Sequence, residues 1–151
     1  MNFQFYVLKA TRDNMLRIMD SLTMEQLNQI PEGFNNNLIW NFGHVVVTQQ
    51  LLNYALSGLP MHLSEEIVNK YRKGSKPNLI VSEGEYEMLK TAAFDLIETL
   101  KKDYEAGLFK TYNPYTTSYN TTLTSIEEAI NFNNVHEALH LGLMMALRKF
   151  V

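Results

Sequence analysis

The chain contains no cysteine among its 151 residues. Disulfide frameworks, thiolate nucleophiles, zinc ribbons and iron–sulfur clusters are thereby removed together, and any metal must be held by His, Asp or Glu. Charge is also sparse: charged residues make up 19% of the chain, with 13 Lys and Arg against 16 Asp and Glu. A formal charge of −3 offers no cationic excess to neutralise phosphates, so nucleic acid is not an expected partner. Glycine and proline are few, at 7 and 4, while 46% of the residues are hydrophobic, which excludes collagen-like, low-complexity and disordered chains. The longest apolar stretches, Val45–Val47 and Leu141–Leu147, fall far short of the ~20 residues that cross a bilayer. The first residues lack the basic-then-apolar layout of a signal peptide. A soluble, cytoplasmic protein with no membrane partner is the expectation.

What the chain does have is helical periodicity. Residues 3–22 place Phe5, Leu8, Met15, Met19 and Leu22 on one stripe, interrupted only by Arg12. Thr23-Met-Glu-Gln26 has the form of a capping box and starts a short turn of helix. A second long helix over 37–57 carries Trp40, His44, Val47, Leu51 and Tyr54 and stops at Gly58 and Pro60. A short helix over Glu65–Arg72 follows, then a loop through Gly74, Ser75 and Pro77.

The third long helix begins at a second capping-box sequence, Ser82-Glu-Gly-Glu85, and buries Tyr86, Leu89, Ala93, Leu96 and Leu100. Residues 108–124 are rich in Thr and Tyr; their propensity permits a hairpin, but Pro114 and the lack of aliphatic residues favour an ordered loop. The last helix starts at Ser125, with Ala129, Asn133, His136, His140, Leu143, Leu147 and Phe150 on its inner seam. Residues 1–151 are thus expected to form one all-α domain, a four-helix bundle with a short extra helix between helices two and three.

Three of the four histidines fall on inner seams, and His136 and His140 stand four apart, on one helical face. If the bundle is up-and-down, the second and fourth helices run the same way, and ~1.5 Å per residue sets His44 at a height comparable with that pair. Burying several imidazoles without a partner leaves polar nitrogens unsatisfied, whereas one divalent cation takes a lone pair from each. Three neutral ligands also leave coordination positions open for water or substrate, as in a catalytic site. His62, in a polar loop, reads as a surface residue.

His136-Glu-Ala-Leu-His140 also satisfies the H-E-x-x-H pattern of zinc peptidases, but only 11 residues follow, with no His or Glu to serve as a downstream third ligand. Glu137, 100° around the helix from His136, has three destinations: the open side of the ion, a pair with Arg12 or Arg148, or solvent. On the open side it is the candidate proton carrier and the one catalytic residue expected from this chain. Gly43 and Gly142 flank ligands, which either close backbone approach or tight helix packing explains. Trp40 either roofs the pocket and touches substrate or is a core aromatic. Tyr112, Tyr115 and Tyr119 either line the entrance, where they bind substrate, or pack their loop onto the bundle. The eight methionines, Met144 and Met145 among them, read as adaptable filler of the core or an interface.

The stretches Leu22-Thr-Met-Glu-Gln-Leu27, Asn37-Leu-Ile-Trp-Asn-Phe-Gly-His44, Gly74-Ser-Lys-Pro77 and His136-Glu-Ala-Leu-His-Leu-Gly142 resemble the DinB/YfiT-like metalloenzymes, in particular the branch related to thiol S-transferases. The resemblance covers nearly the whole chain and implies the DinB/YfiT-like bundle, with His44, His136 and His140 as ligands of one divalent ion, zinc, nickel or iron. It further implies a homodimer and a reaction in which the ion activates a low-molecular-weight thiol or water, for transfer to an electrophile or for hydrolysis of a small-molecule substrate. Leu143 departs from many relatives, which carry Gln there. The off-seam apolar residues Tyr6, Leu16, Ile18, Leu141 and Met145 are the expected dimer contacts. The alternative function is a stress-related bundle that binds a metal or small ligand and catalyses nothing.

Overall fold

Capping chemistry sets the helix boundaries in the computed structural model, which describes residues 1–151. The first helix, α1 (Asn2–Met19), is followed by α2 (Met24–Asn28), whose capping box is complete: the Thr23 hydroxyl accepts from the Gln26 amide, and the Gln26 side chain accepts from the Thr23 amide. Asn37 caps α3 (Leu38–Asn53), Ser64 caps α4 (Glu65–Tyr71), Ser82 caps α5 (Glu83–Glu105) and Ser125 caps α6 (Ile126–Leu147). In α5 and α6 the box is only half made. Glu85 turns to Lys70 and Tyr71, and Glu128 accepts from the Thr124 amide and hydroxyl at 2.6 and 2.8 Å. A 3-10 turn, Ala55–Ser57, extends α3 to Gly58, where a φ of 70° lies in the left-handed region glycine tolerates.

The fold is all-α, and its four long helices surround one core. In that bundle α1 packs on α5 and α6, and α3 packs on the same two from the opposite side. Phe5 clusters with Ile126 and Ile130 while Arg12 meets Glu137, so α1 and α6 run parallel. Asn41 meets His140, and Leu52 clusters with Ala129, so α3 and α6 run antiparallel. The order is therefore up-down-down-up. This corrects the up-and-down expectation in which the second and fourth long helices share a direction; the histidines meet because the two helices approach from opposite ends.

Inside the bundle α3 is buried almost all round: Thr48 and Leu51 are its only residues that are not. Such a helix needs neighbours on every side, and α2 and α4 add to the cover that α5 and α6 supply. Arg12, the interruption in the α1 stripe, is fully buried. Its guanidinium donates to Glu137 on α6, to Gln49 on α3 and to the Ala93 carbonyl of α5, so one side chain ties all four long helices.

Other expectations are revised. Phe150 lies beyond the last helix and is 59% exposed, resting on Phe34 rather than on an inner seam. Met144 takes the core position one residue from Leu143, because the buried stripe of α6 passes through Asn133, Glu137, Met144 and Leu147. Residues 108–124 are not loop alone: Tyr115–Thr116 pairs antiparallel with Thr122–Leu123, and Asn120, with φ at 59°, makes the turn. One aliphatic side chain suffices to anchor this hairpin, since Leu123 is buried against Leu52 and Ala129. Among the expected dimer contacts, Ile18 is buried and Leu16 and Leu141 pack partly into the core, leaving Tyr6 and Met145 exposed.

Candidate metal centre

His44 projects from the first half of α3, and His136 and His140 from successive turns of α6. One nitrogen from each ring lies within 4.8 Å of the others. The ring centroids are 4.6 to 5.2 Å apart, and no pair is stacked flat.

Hydrogen bonds fix the tautomers of two rings. His44 Nδ1 is 2.7 Å from the Tyr71 carbonyl oxygen; since a carbonyl only accepts, Nδ1 carries the proton and Nε2 the lone pair. The same logic applies to His140, whose Nδ1 is 2.8 Å from Asn41 Oδ1. Asn41 is itself oriented, because its amide nitrogen donates to Asn36 Oδ1 at 3.0 Å and to the Asn37 carbonyl at 2.7 Å. Outer partners of this kind are what metal-bound histidines use to hold ring and tautomer. The third ring, His136, has a buried Nδ1 with no hydrogen-bond partner. An orphaned buried nitrogen beside two oriented imidazoles is what a site built for a cation leaves when only protein atoms are counted, so the donor set fits a divalent ion.

The electrostatics agree. Burial pushes His136 down to about 3, helped by His140 and His44, and His140 down to about 4, helped by His44. Burial also lowers His44, against the opposing effect of its bond to the Tyr71 carbonyl. All three rings are neutral near pH 7 and keep a lone pair to offer.

Residues of α3 and of the segment around Tyr71 and Ser75 support the ligands. The Trp40 indole stacks on His44 at 4.7 Å between centroids and 10° between planes. Its Nε1 donates to Ser75 Oγ at 3.1 Å, which ties the Gly74-Ser-Lys-Pro77 loop to the site. Of its two expected roles, Trp40 takes that of a core aromatic, at 7% exposure; it lines a separate surface hollow and not the cavity lined by His44 and His136. Gly43 does mark close approach: a Cβ there would collide with the ring of Tyr71, the residue whose carbonyl holds His44. Gly142 does not, since a Cβ there would meet nothing within 4 Å.

A cavity of about 290 Å³ opens beside the cluster and is lined by His44 and His136. Thr48 and Leu51, the two incompletely buried residues of α3, line it, and the hairpin contributes Tyr115, Thr117 and Ser118. Tyr115 is thus where an entrance residue is expected. Tyr119 is not: it is 61% exposed in a different hollow, near Phe132. Tyr112 packs its loop, donating to the Leu52 carbonyl at 3.0 Å.

Glu137 takes the second of its three destinations. Arg12 grips both carboxylate oxygens, Asn133 donates to Oε1 at 3.0 Å, and the side chain is fully buried and absent from the cavity lining. This corrects its expected role as a proton carrier, because a carboxylate held by a buried guanidinium has no open path to the cavity. Asn41 and the Tyr71 carbonyl were not legible as parts of the site. An amide three residues before His44 on an apolar helix is a signal for Asn41; a backbone carbonyl leaves none. His62 is on the surface, as expected, 3.8 Å from Asp103.

The sequence profile of the DinB superfamily matches residues 8–144 of the chain. No curated protein matches it.

Proposed function

The chain belongs to the DinB superfamily, and from that premise we propose that it is a metal-dependent enzyme in which His44, His136 and His140 hold one divalent ion. The observation that carries this reading is the pairing of ring N–H groups with outer partners: Tyr71 and Asn41 take Nδ1–H of His44 and His140, which leaves the lone pair on each Nε2, and His136 is left with an unsatisfied nitrogen. When bound, a divalent cation supplies Lewis acidity that makes a thiol or water nucleophilic near neutral pH. The protein supplies the rest. Three neutral imidazoles would leave coordination positions open, Thr48 sets a hydroxyl 3.3 Å from His44 Nε2, and Leu51, Leu52 and Phe132 give the cavity apolar lining. Transfer of a low-molecular-weight thiol and hydrolysis of a small substrate are the two reactions this arrangement serves.

Elemental analysis of protein purified without an affinity tag tests the ion, with about one per chain expected. A thiol and a model electrophile then test the chemistry. Turnover lost on chelation and restored by metal supports the enzyme, whereas a bound ion with no turnover above background favours a non-catalytic binding bundle.

The assembly we propose is a homodimer through α6. Val135, Leu139 and Met145 stay 43 to 56% exposed on that helix. The exposed small residues Ala138, Gly142 and Ala146 stand beside them and would let a second copy of the helix come close. Sedimentation at micromolar concentration should give twice the chain mass, and Leu139→Lys should return it to 17.5 kDa.

A further inference from the structure

The cavity beside the histidines has three kinds of lining: the imidazoles of His44 and His136, the apolar side chains of Leu51, Leu52 and Phe132, and the cation of Lys73. No Asp or Glu lines the cavity. Lys73 forms no ion pair, whereas Lys70, three residues earlier, is bound to Glu85 at 2.6 Å. The cation is also not alone: residues 70–76 contain Lys70, Arg72, Lys73 and Lys76 and no acid, in a chain whose formal charge is −3.

Charge balance sharpens the point. Three imidazoles neutralise none of a divalent ion's charge, and the acid next to them in sequence, Glu137, is already taken by Arg12. A cavity beside such an ion that is also lined by an unpaired ammonium carries positive charge that nothing in its lining cancels. A ligand supplying the missing negative charge is favoured there over a neutral ligand of the same shape.

We propose that this cavity selects a small anionic substrate, an apolar body bearing a carboxylate or similar acidic group, and that Lys73 pairs with that group. The inference rests on the metal-enzyme reading above and adds the substrate class. At ~30 Å³ per water-sized unit, the cavity of about 290 Å³ admits roughly ten heavy atoms. Lys73 pairs with the acidic group, and Leu51, Leu52 and Phe132 take the apolar body.

The test compares 3-phenylpropanoate with its neutral isostere 3-phenylpropanamide, titrated by NMR into the zinc-loaded full chain and into the Lys73→Gln and Lys73→Arg variants. Lys73 is exposed, so these substitutions leave the fold intact. The readout is the acid-to-amide affinity ratio, in which any direct contact of carboxylate with zinc is common to parent and variant. Lys73→Gln should lower the ratio about fivefold, Lys73→Arg should keep it, and added salt should shrink it in the parent. A ratio unchanged by Lys73→Gln, or acid and amide binding alike in the parent, overturns the proposal. Elemental analysis of the same samples separates the two readings: protein that takes up no zinc sinks the metal enzyme, while the Lys73-dependent ratio still reports on anion selection.

Discussion

Arg12 closes a two-pronged ion pair on Glu137, Nε to Oε2 at 3.0 Å and Nη2 to Oε1 at 2.6 Å, with neither side chain exposed. Two charges taken out of water are costly unless every remaining donor and acceptor is satisfied. Here Gln49 and the Ala93 carbonyl accept further hydrogen bonds from Arg12, and Asn133 donates one to Glu137. Glu137 lies between His136 and His140 in α6, so the pair also fixes how that helix is rotated about its axis. Arg12→Ala strands a carboxylate in the core and should cost about 3–5 kcal/mol in chemical denaturation. Arg12→Met with Glu137→Leu removes both charges and should cost less than Arg12→Ala alone.

Acid should destabilise the protein through the same histidines that fit a metal. His136 and His140 titrate at about 3 and about 4 in the folded chain, but near 6.5 when unfolded. Below pH ~6.5 the unfolded chain therefore binds protons that the folded chain refuses. Stability falls by up to about 1.4 kcal/mol per pH unit for each ring, and that loss levels off near the two folded values. Urea midpoints between neutral pH and pH 4 measure it, and the variant His136→Gln should show a shallower slope than the parent.

Gly43→Ala should cost about 1–3 kcal/mol, the usual range for forcing an atom into a filled core. The added methyl group displaces the Tyr71 ring, and with it the carbonyl that orients His44. Denaturation and zinc affinity, measured on the same protein, should both fall.

Much of this architecture is legible in the sequence because it depends on local rules. Capping residues and apolar stripes locate the long helices to within a few residues, and the spacing of His136 and His140 places two donors on one face. Helix direction is not a local property: loops as long as 108–124 can return the chain at either end, which is how an antiparallel α3 and α6 can look parallel in prospect. Arg12 looks like a break in one stripe, and the sequence offers Glu137 a pair with Arg12 only as one of three destinations, since the packing of α1 on α6 that selects it joins residues 125 positions apart. The hairpin escapes for a related reason, as Leu123 is an anchor only once Leu52 and Ala129 are beside it.

Asn41 gives the sharpest test of how the site is supported. Its Oδ1 accepts from His140 Nδ1, while its amide nitrogen is committed to Asn36 and Asn37. Asn41→Ala removes the group that fixes the His140 tautomer yet leaves all three ligands in place. Metal affinity should drop about 10–100-fold, the usual effect of losing such a partner. His140→Ala should go further and abolish stoichiometric binding while the bundle stays folded, because Trp40, Val47, Met144 and Leu147 keep α3 and α6 in the core. Zinc titration against a competing chelator, with circular dichroism on the same samples, distinguishes the two variants. Equal affinity in Asn41→Ala and the parent would show that α6 packing alone orients His140; full zinc binding by folded His140→Ala would remove that residue from the ligand set.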